Sequence, residues 1–263
     1  MSPAAPRPKK RLGQNFLRAR WVARLFAEWV CGYHRVVEVG AGTGAVTGEV
    51  LRRCPLVEAY LLELDRGLLP FLSAQKLLGP FSEVLGADAL APPLRLEGLQ
   101  ALYGSIPYNI TGPLLSLLAL LPRRLPAMLL VQREVAQRLL SKPGEKSYGR
   151  ITVLVQLAYR VRPGRVVPPA AFYPPPRVYS QIVYMEPRSS APSPRVLRRV
   201  EQLTRCMFSQ RNRLAGKVAR RCLGGVAGDA LKPLEGLRVY QLPPGVFLEL
   251  AEAAEAAAGG DRG

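Results

Sequence analysis

Histidine is almost missing: His34 is the only one in 263 residues, so neither a Ser-His-Asp triad nor a histidine-rich zinc site has enough members. Cysteine is scarce as well. Cys31, Cys54, Cys206 and Cys222 include no close pair of metal-ligand type, and the expectation is of reduced, buried, structural thiols in a cytoplasm, with no metal bound. No apolar run is long enough to cross a bilayer, because the most hydrophobic stretch, Leu114 to Val131, is cut by Pro122, Arg123 and Arg124. The opening residues run into Lys9, Lys10 and Arg11 rather than an apolar segment. Neither a signal peptide nor a membrane span is expected. Acidic residues are missing where basic ones gather: residues 1–24 hold seven basic and no acidic side chains, and residues 188–222 hold ten basic and only Glu201.

Those two segments carry +16 of the +18 net charge, so the remainder is a nearly neutral core bearing two basic surfaces. That pattern suits neutralisation of a phosphate backbone. Arginine, whose planar fork grips phosphate or stacks on a base, makes up 30 of the 37 basic residues. The competing readings are a plain solvated surface and, for 195–221, a basic amphipathic helix lying on an anionic membrane. A hydrophobic fraction of 48% with 21% charged residues is that of an ordinary globular chain, one large domain with room for a small appendage.

Short apolar runs alternate with helix-like segments from residue 36 to about 132. Val36–Val39, Val57–Leu62, Ala101–Tyr103 and Ala127–Val131 read as buried strands, and Val46–Arg53, Leu68–Leu77, Leu114–Leu120 and Glu134–Leu140 as helices. The rhythm implies a mostly parallel sheet with helices on its faces, and ligands in such folds sit beyond the C-terminal ends of the strands. The proline-dense stretch 166–176 is an ordered loop or edge, and Val178–Met185 one more strand. A Ser/Pro/Ala linker at 187–194 puts a domain boundary near 188, dividing a domain of 1–187 from a small basic helical one of 188–263.

The strand ends carry the chemistry. Glu38-Val39-Gly40-Ala41-Gly42-Thr43-Gly44 closes the first strand, and its G-x-G-x-G spacing differs from the G-x-G-x-x-G of dinucleotide enzymes. It suits an adenosine cofactor without pyrophosphate, S-adenosylmethionine, and disfavours a nicotinamide oxidoreductase. Glu63, at the end of the second strand, is placed to accept hydrogen bonds from both ribose hydroxyls. Asp88 ends the next strand, either accepting from an adenine amino group or capping a helix. Ser105-Ile106-Pro107-Tyr108 follows the fourth strand. A polar residue, an apolar one, proline and an aromatic suit methylation of an exocyclic amine: acceptors turn the nitrogen lone pair, and the ring stacks on the base.

With these motifs in order, the sequence resembles the ribosomal RNA adenine N6,N6-dimethyltransferases, the kasugamycin-resistance methylase family and its archaeal and eukaryotic relatives. The resemblance rests further on Lys9 to Leu17, on Gln132 to Arg138 with Tyr148-Gly149-Arg150, on Phe172 to Ser180, and on Phe208 to Arg213. It implies a class I, Rossmann-like methyltransferase domain with a small all-helical C-terminal domain. It implies that Gln14, Asn15 and Leu17 belong to the cofactor site with Glu38, Gly40, Gly42, Glu63, Asp88 and Ser105. Catalysis would fall to Ser105, Ile106, Pro107, Tyr108 and Phe172, with Tyr108 and Phe172 sandwiching the target adenine. Lys9, Lys10, Arg11, Arg211 and Arg213 would meet RNA. The implied partner is small-subunit rRNA near its 3′ end in a pre-ribosomal particle, met by a monomer in the cytoplasm. Ser105 stands where the family pattern has Asn, and Asn212 where a second Arg is usual. The alternatives are a large-subunit rRNA adenine N6-methylase and a weakly active or inactive relative serving in ribosome assembly or as a transcription factor.

Overall fold

The computed structural model describes residues 7–73, 78, 81–92, 97–224 and 234–260. The chain forms two compact units, one of Met1–Leu114, Leu125–Ala136 and Arg162–Glu186, the other of Leu115–Arg124, Gln137–Val161 and Pro187–Gly263. The second unit thus takes in two stretches that lie well before residue 188. No helix among the described residues is long and apolar enough to cross a membrane.

In the first unit a short ribbon forms from β1 (Phe16–Leu17), which precedes helix α1 (Arg20–Val30). The main sheet begins at β2 (Arg35–Val39), followed by α2 (Ala45–Arg53), β3 (Glu58–Leu62), α3 (Leu69–Ser73), β4 (Ser82–Leu85) and β5 (Ala101–Ser105). Along the chain, and passing in part through stretches of the second unit, next come α4 (Thr111–Leu120), β6 (Ala127–Gln132), α5 (Arg133–Leu140), α6 (Arg150–Ala158), β7 (Tyr159–Val167), β8 (Phe172–Tyr173) and β9 (Ser180–Pro187). Strand order is β4-β3-β2-β5-β6-β9-β7, parallel from β4 to β6 with β9 antiparallel to β6. β1 pairs antiparallel with β8, setting Leu17 opposite Phe172. The five strands expected at 36–39, 57–62, 101–103, 127–131 and 178–185 all form, as β2, β3, β5, β6 and β9. Only Leu69–Ser73 of the expected helix 68–77 is assigned, and 74–77 lie outside the described residues.

β2 and β6 are central strands covered on both faces, which is why their apolar runs are continuous rather than alternating. α1 buries Val22, Ala23, Phe26, Ala27 and Val30 at helical spacing and turns Arg20 and Arg24 outward.

The second unit is helical, adding α7 (Pro194–Phe208), α8 (Ala215–Cys222) and α9 (Pro244–Gly260) to α6. Ser193 caps α7 by accepting from the Val196 N–H, with Pro194 in the first turn, so the Ser/Pro linker ends as a helix start. Tyr148, Val153, Val200, Leu203, Met207, Val218 and Phe247 share one core.

The cysteines correct an expectation. All four are joined, Cys31 to Cys54 and Cys206 to Cys222, with Cα separations of 5.3 and 5.9 Å. Separations of 23 and 16 residues do not look like pairs. Each pair meets because two consecutive helices pack with their C-terminal ends together, a spatial fact that linear spacing does not carry.

Candidate active site

The C-terminal ends of β2, β3 and β5 face one cavity with an empty volume of about 840 Å³ including its mouth. Gln14, Asn15, Gly40, Gly42, Glu63, Asp88, Ser105, Ile106, Pro107, Tyr108 and Phe172 all line it. A smaller hollow alongside is lined by Asn15, Leu17, Glu38, Gly40, Gly42 and Ser105. Residues expected at the site from six separate stretches therefore meet, most of them where parallel strands end.

Gly40 and Gly42 adopt left-handed φ values of 71° and 58°. A Cβ at Gly42 would stand 3.4 Å from Phe16 Cδ1, and one at Gly40 3.3 Å from Pro107 Cδ. Side chains there would fill the floor of the cavity as well as strain the turn.

Glu63 Oε2 accepts from the Gly42 N–H at 2.9 Å and its Oε1 from the Asp65 N–H at 2.8 Å. Burial pushes this carboxyl above the usual carboxylate range, opposed by those backbone donors. Glu38 is used differently. It is 1% exposed and accepts from Thr47 Oγ1 at 2.7 Å and Tyr103 Oη at 3.0 Å. Burial raises it to about 7 against the pull of those hydroxyls. Its carboxylate is a brace between β2, α2 and β5. Asp88 lines the cavity, and its Oδ1 accepts from the Leu90 N–H at 2.9 Å, so lining and turn capping coexist.

The substrate loop is held from below. The Ile106 N–H donates to the Leu130 carbonyl at 3.0 Å, extending the β5–β6 ladder. Thr111 Oγ1 donates to the Pro107 carbonyl at 3.1 Å, starting α4 directly behind the loop. Tyr108 Oη shares a 2.9 Å hydrogen bond with Ser180 Oγ, and burial raises the phenol's pKa. The Ser105 hydroxyl makes no hydrogen bond among the described residues. Phe172 is only 5% exposed and belongs to the hydrophobic core as well as to the cavity wall.

The N-terminal segment is tied down at β3. Lys9 Nζ pairs with Asp65 Oδ1 at 2.5 Å, Gln14 Nε2 donates to Asp65 Oδ2 at 2.9 Å, and Gln14 Oε1 accepts from the Lys9 N–H at 2.7 Å. Burial pushes Asp65 up, but Lys9, Gln14 and the Gly67 N–H outweigh it and hold the carboxyl below its ordinary value. The Lys9 charge, assigned from sequence to RNA, is thus given to Asp65, while Lys10 and Arg11 are exposed. Arg213 is exposed too. Arg211 is half-buried, donating to the Lys146 and Glu145 carbonyls at 3.0 and 3.4 Å with its guanidinium 5.3 Å from the Tyr240 ring centre.

Ser180, Asn109 and Phe16 also line the cavity. Ser180 and Phe16 lie within the 172–180 and 9–17 stretches, but a serine after a proline run and a phenylalanine before a helix carry no chemistry by spacing alone.

A family model described as ribosomal RNA adenine dimethylase matches residues 6–252. Among curated relatives, a probable ribosomal RNA small subunit methyltransferase A of Pyrobaculum aerophilum is 38% identical over 92% of this chain and 96% of its own length. Ribosomal RNA small subunit methyltransferase A of Rubrobacter xylanophilus is 36% identical over 95% of this chain and 96% of its own. Among solved structures, a dimethyladenosine transferase from Plasmodium falciparum superposes with a TM-score of 0.77 at 22% identity, covering 89% of this chain and 95% of that one. The 23S rRNA methyltransferase ErmE superposes with a TM-score of 0.65 at 25% identity, covering 92% and 100%.

Proposed function

Because the chain belongs to the ribosomal RNA adenine dimethylase family, we propose that it methylates N6 of adjacent adenines near the 3′ end of small-subunit rRNA, using S-adenosylmethionine. The observation that carries this reading is the convergence of the glycine turn, Glu63, Asp88 and the Ser105–Tyr108 loop on one cavity.

The residues present fit the cofactor. Gly40 and Gly42 leave open the space that a Cβ would take beside Pro107 and Phe16, and Glu63 offers a buried carboxylate met by backbone donors. Bound S-adenosylmethionine supplies an electrophilic methyl on a sulfonium. Glu63 would accept from the ribose hydroxyls and Asp88 from the adenine amino group, Gln14 and Asn15 would close over the site, and Leu17 and Glu38 would support the glycine turn from the neighbouring hollow.

The target base is held out of its stack by Tyr108 and Phe172, each contributing about 1–3 kcal/mol. The Ser105 hydroxyl and the Ile106 carbonyl accept the N6 hydrogens, turning the nitrogen lone pair toward the methyl group. No strong general base is needed, since the methylated amine loses its extra proton readily to water; positioning supplies most of the rate. The enzyme is read as a monomer acting in the cytoplasm on a pre-ribosomal particle, with Lys10, Arg11 and the basic helical unit of 188–263 meeting RNA.

Purified protein incubated with small subunits lacking the modification, followed by mass-spectrometric mapping, should place methyl groups on adjacent adenines. The likeness to a 23S rRNA methyltransferase makes unmodified large-subunit rRNA the required second arm, and methylation there alone would replace the substrate. Bound cofactor and RNA with no methylation in either arm would make the chain an assembly factor. In calorimetry without RNA, Glu63→Ala should lose about 1–3 kcal/mol of S-adenosylmethionine affinity for each hydroxyl left unpaired, and wild-type affinity would remove Glu63 from the site.

A further inference from the structure

The rim of the cavity carries an aromatic side chain that the core does not use. Tyr173 is 53% exposed and directly follows the wall residue Phe172. The β1–β8 register sets it opposite Phe16, so the two side chains share a face of the ribbon, and Phe16 lines the cavity. Phe16 is buried against the glycine turn, whereas Tyr173 stands open to solvent. Leu64, which lines the cavity, and Tyr179, which precedes the lining residue Ser180, are about as exposed. A lone exposed apolar side chain needs no explanation, but three around one mouth form a surface.

Tyr173 is also held in place. Its phenol makes no hydrogen bond among the described residues, and what orders the ring is Arg18, whose guanidinium carbon lies 5.3 Å from the ring centre. The Arg18 and Ala19 N–H groups donate to the Ala171 carbonyl at 2.8 and 3.2 Å, tying the two strands together beyond their own ladder. Arg18 is exposed and has no acidic partner among the described residues. A ring ordered by a cation, with more than half of the residue open to solvent, offers a π-face and a positive charge side by side. That pair suits an unpaired base with its phosphate, because stacking on an aromatic ring accepts any base and the cation meets the backbone.

We propose that Tyr173, backed by Arg18, stacks on the nucleotide next to the target adenine. This rests on the reading of the chain as an rRNA adenine methyltransferase. When the target base is turned into the cavity between Tyr108 and Phe172, its neighbour loses a stacking partner and has to cross the rim, where Tyr173 follows Phe172. The ring replaces the lost stack and keeps the strand unpaired at the mouth. Tyr173 is thus a specificity-determining residue, selecting an adenine whose neighbour is free of a duplex.

The test is a double-mutant cycle between protein and RNA, read as fluorescence anisotropy of a labelled single-stranded oligomer in which one adenine lies between two guanines and the rest is uridine. The full chain is used with S-adenosylhomocysteine, the cofactor without its methyl, so that no transfer occurs. Replacing the guanine on one side by an abasic nucleotide should weaken wild-type binding about tenfold, and Tyr173→Leu should weaken binding of the intact oligomer by about the same factor. Combining the two should cost no more than either alone, while the abasic change on the other side keeps its full effect. Tyr173→Phe, which retains the ring, should match wild type. Phe81→Leu, a change at an equally exposed aromatic by the start of β4, away from the cavity, should leave affinity and abasic penalty unchanged. An abasic penalty undiminished on both sides in Tyr173→Leu, or a loss in Tyr173→Phe equal to that in Tyr173→Leu, overturns the proposal. So does a Tyr173→Leu protein that melts lower and binds, per folded molecule, like wild type, since the ring would then be a packing element. The cycle reads binding alone, so its failure is distinct from failure of the methylation assay.

Discussion

Glu38 and Glu63 sit at the ends of adjacent strands, both buried, yet only one faces the main cavity. From sequence both are acids beside a glycine turn; the difference is that Thr47 and Tyr103 turn the Glu38 carboxyl inward. Glu38 has its pKa raised from 4.5 to about 7 in the folded chain. Between those values the folded state keeps a proton that the unfolded state has lost, so this group's effect on stability declines as pH rises through the window and stays low above it. Glu38→Gln, which mimics the protonated form, should therefore melt progressively higher relative to wild type as pH rises from 5 to 8. A difference in melting temperature that is constant with pH would show that Glu38 stays ionised throughout. Ser105 is legible as a departure from the family pattern, and the structure leaves its hydroxyl without a hydrogen bond among the described residues. Shorter than Asn and free to rotate, it orients the amine less firmly, and after one methyl is added a single N6 hydrogen remains to be held. Ser105→Asn should raise the ratio of dimethylated to monomethylated adenine in a time course on unmodified small subunits. An unchanged ratio and rate would mean that the backbone alone positions the amine.

Among the elements, the parallel strands were legible because burial on both faces leaves continuous apolar runs. α1 is less legible although its apolar spacing is helical, because Arg18, Arg20 and Arg24 make the same stretch part of a basic arm. β7 is illegible for a different reason: it is rich in exposed arginine, with Pro163 and Gly164 in its middle, and its place is an edge of the sheet, where such residues are tolerated. The two disulfides act at this scale, each tying the ends of consecutive helices. Removing Cys206–Cys222 by Cys206→Ala/Cys222→Ala should cost about 3 kcal/mol of stability, the loop-closure value for a loop of about 15 residues, read as a lower urea midpoint. Reductant should lower the wild-type midpoint and leave the double variant sensitive only through Cys31–Cys54. Equal midpoints for the oxidised wild type and the double variant would mean that the link contributes nothing.

For the whole molecule, the linker at 187–194 suggests a cut that the packing does not respect. Tyr148 and Val153 are fully buried in the helical unit's core, and Tyr148 Oη donates to the Leu242 carbonyl at 2.8 Å. A chain ending at residue 187 would expose those side chains and leave that hydroxyl without its acceptor. It should therefore aggregate or melt well below the full-length protein, by more than the loss of an independent domain would cause. If residues 1–187 instead melted cooperatively at the full-length temperature, the two units would be separable at the linker.

The sequence by itself determined the alternating architecture, the glycine turn, the acids at the strand ends and the basic character of two segments, because each depends on local periodicity or on residue chemistry at short spacing. Tertiary structure alone decided which carboxylate meets the cavity, where Lys9 and Arg211 spend their charges, and which cysteines meet. Those outcomes depend on groups 9 to 66 residues apart being brought within bonding distance. Hydrogen bonds and ion pairs act over a few ångströms, so only the folded path of the chain selects the partners.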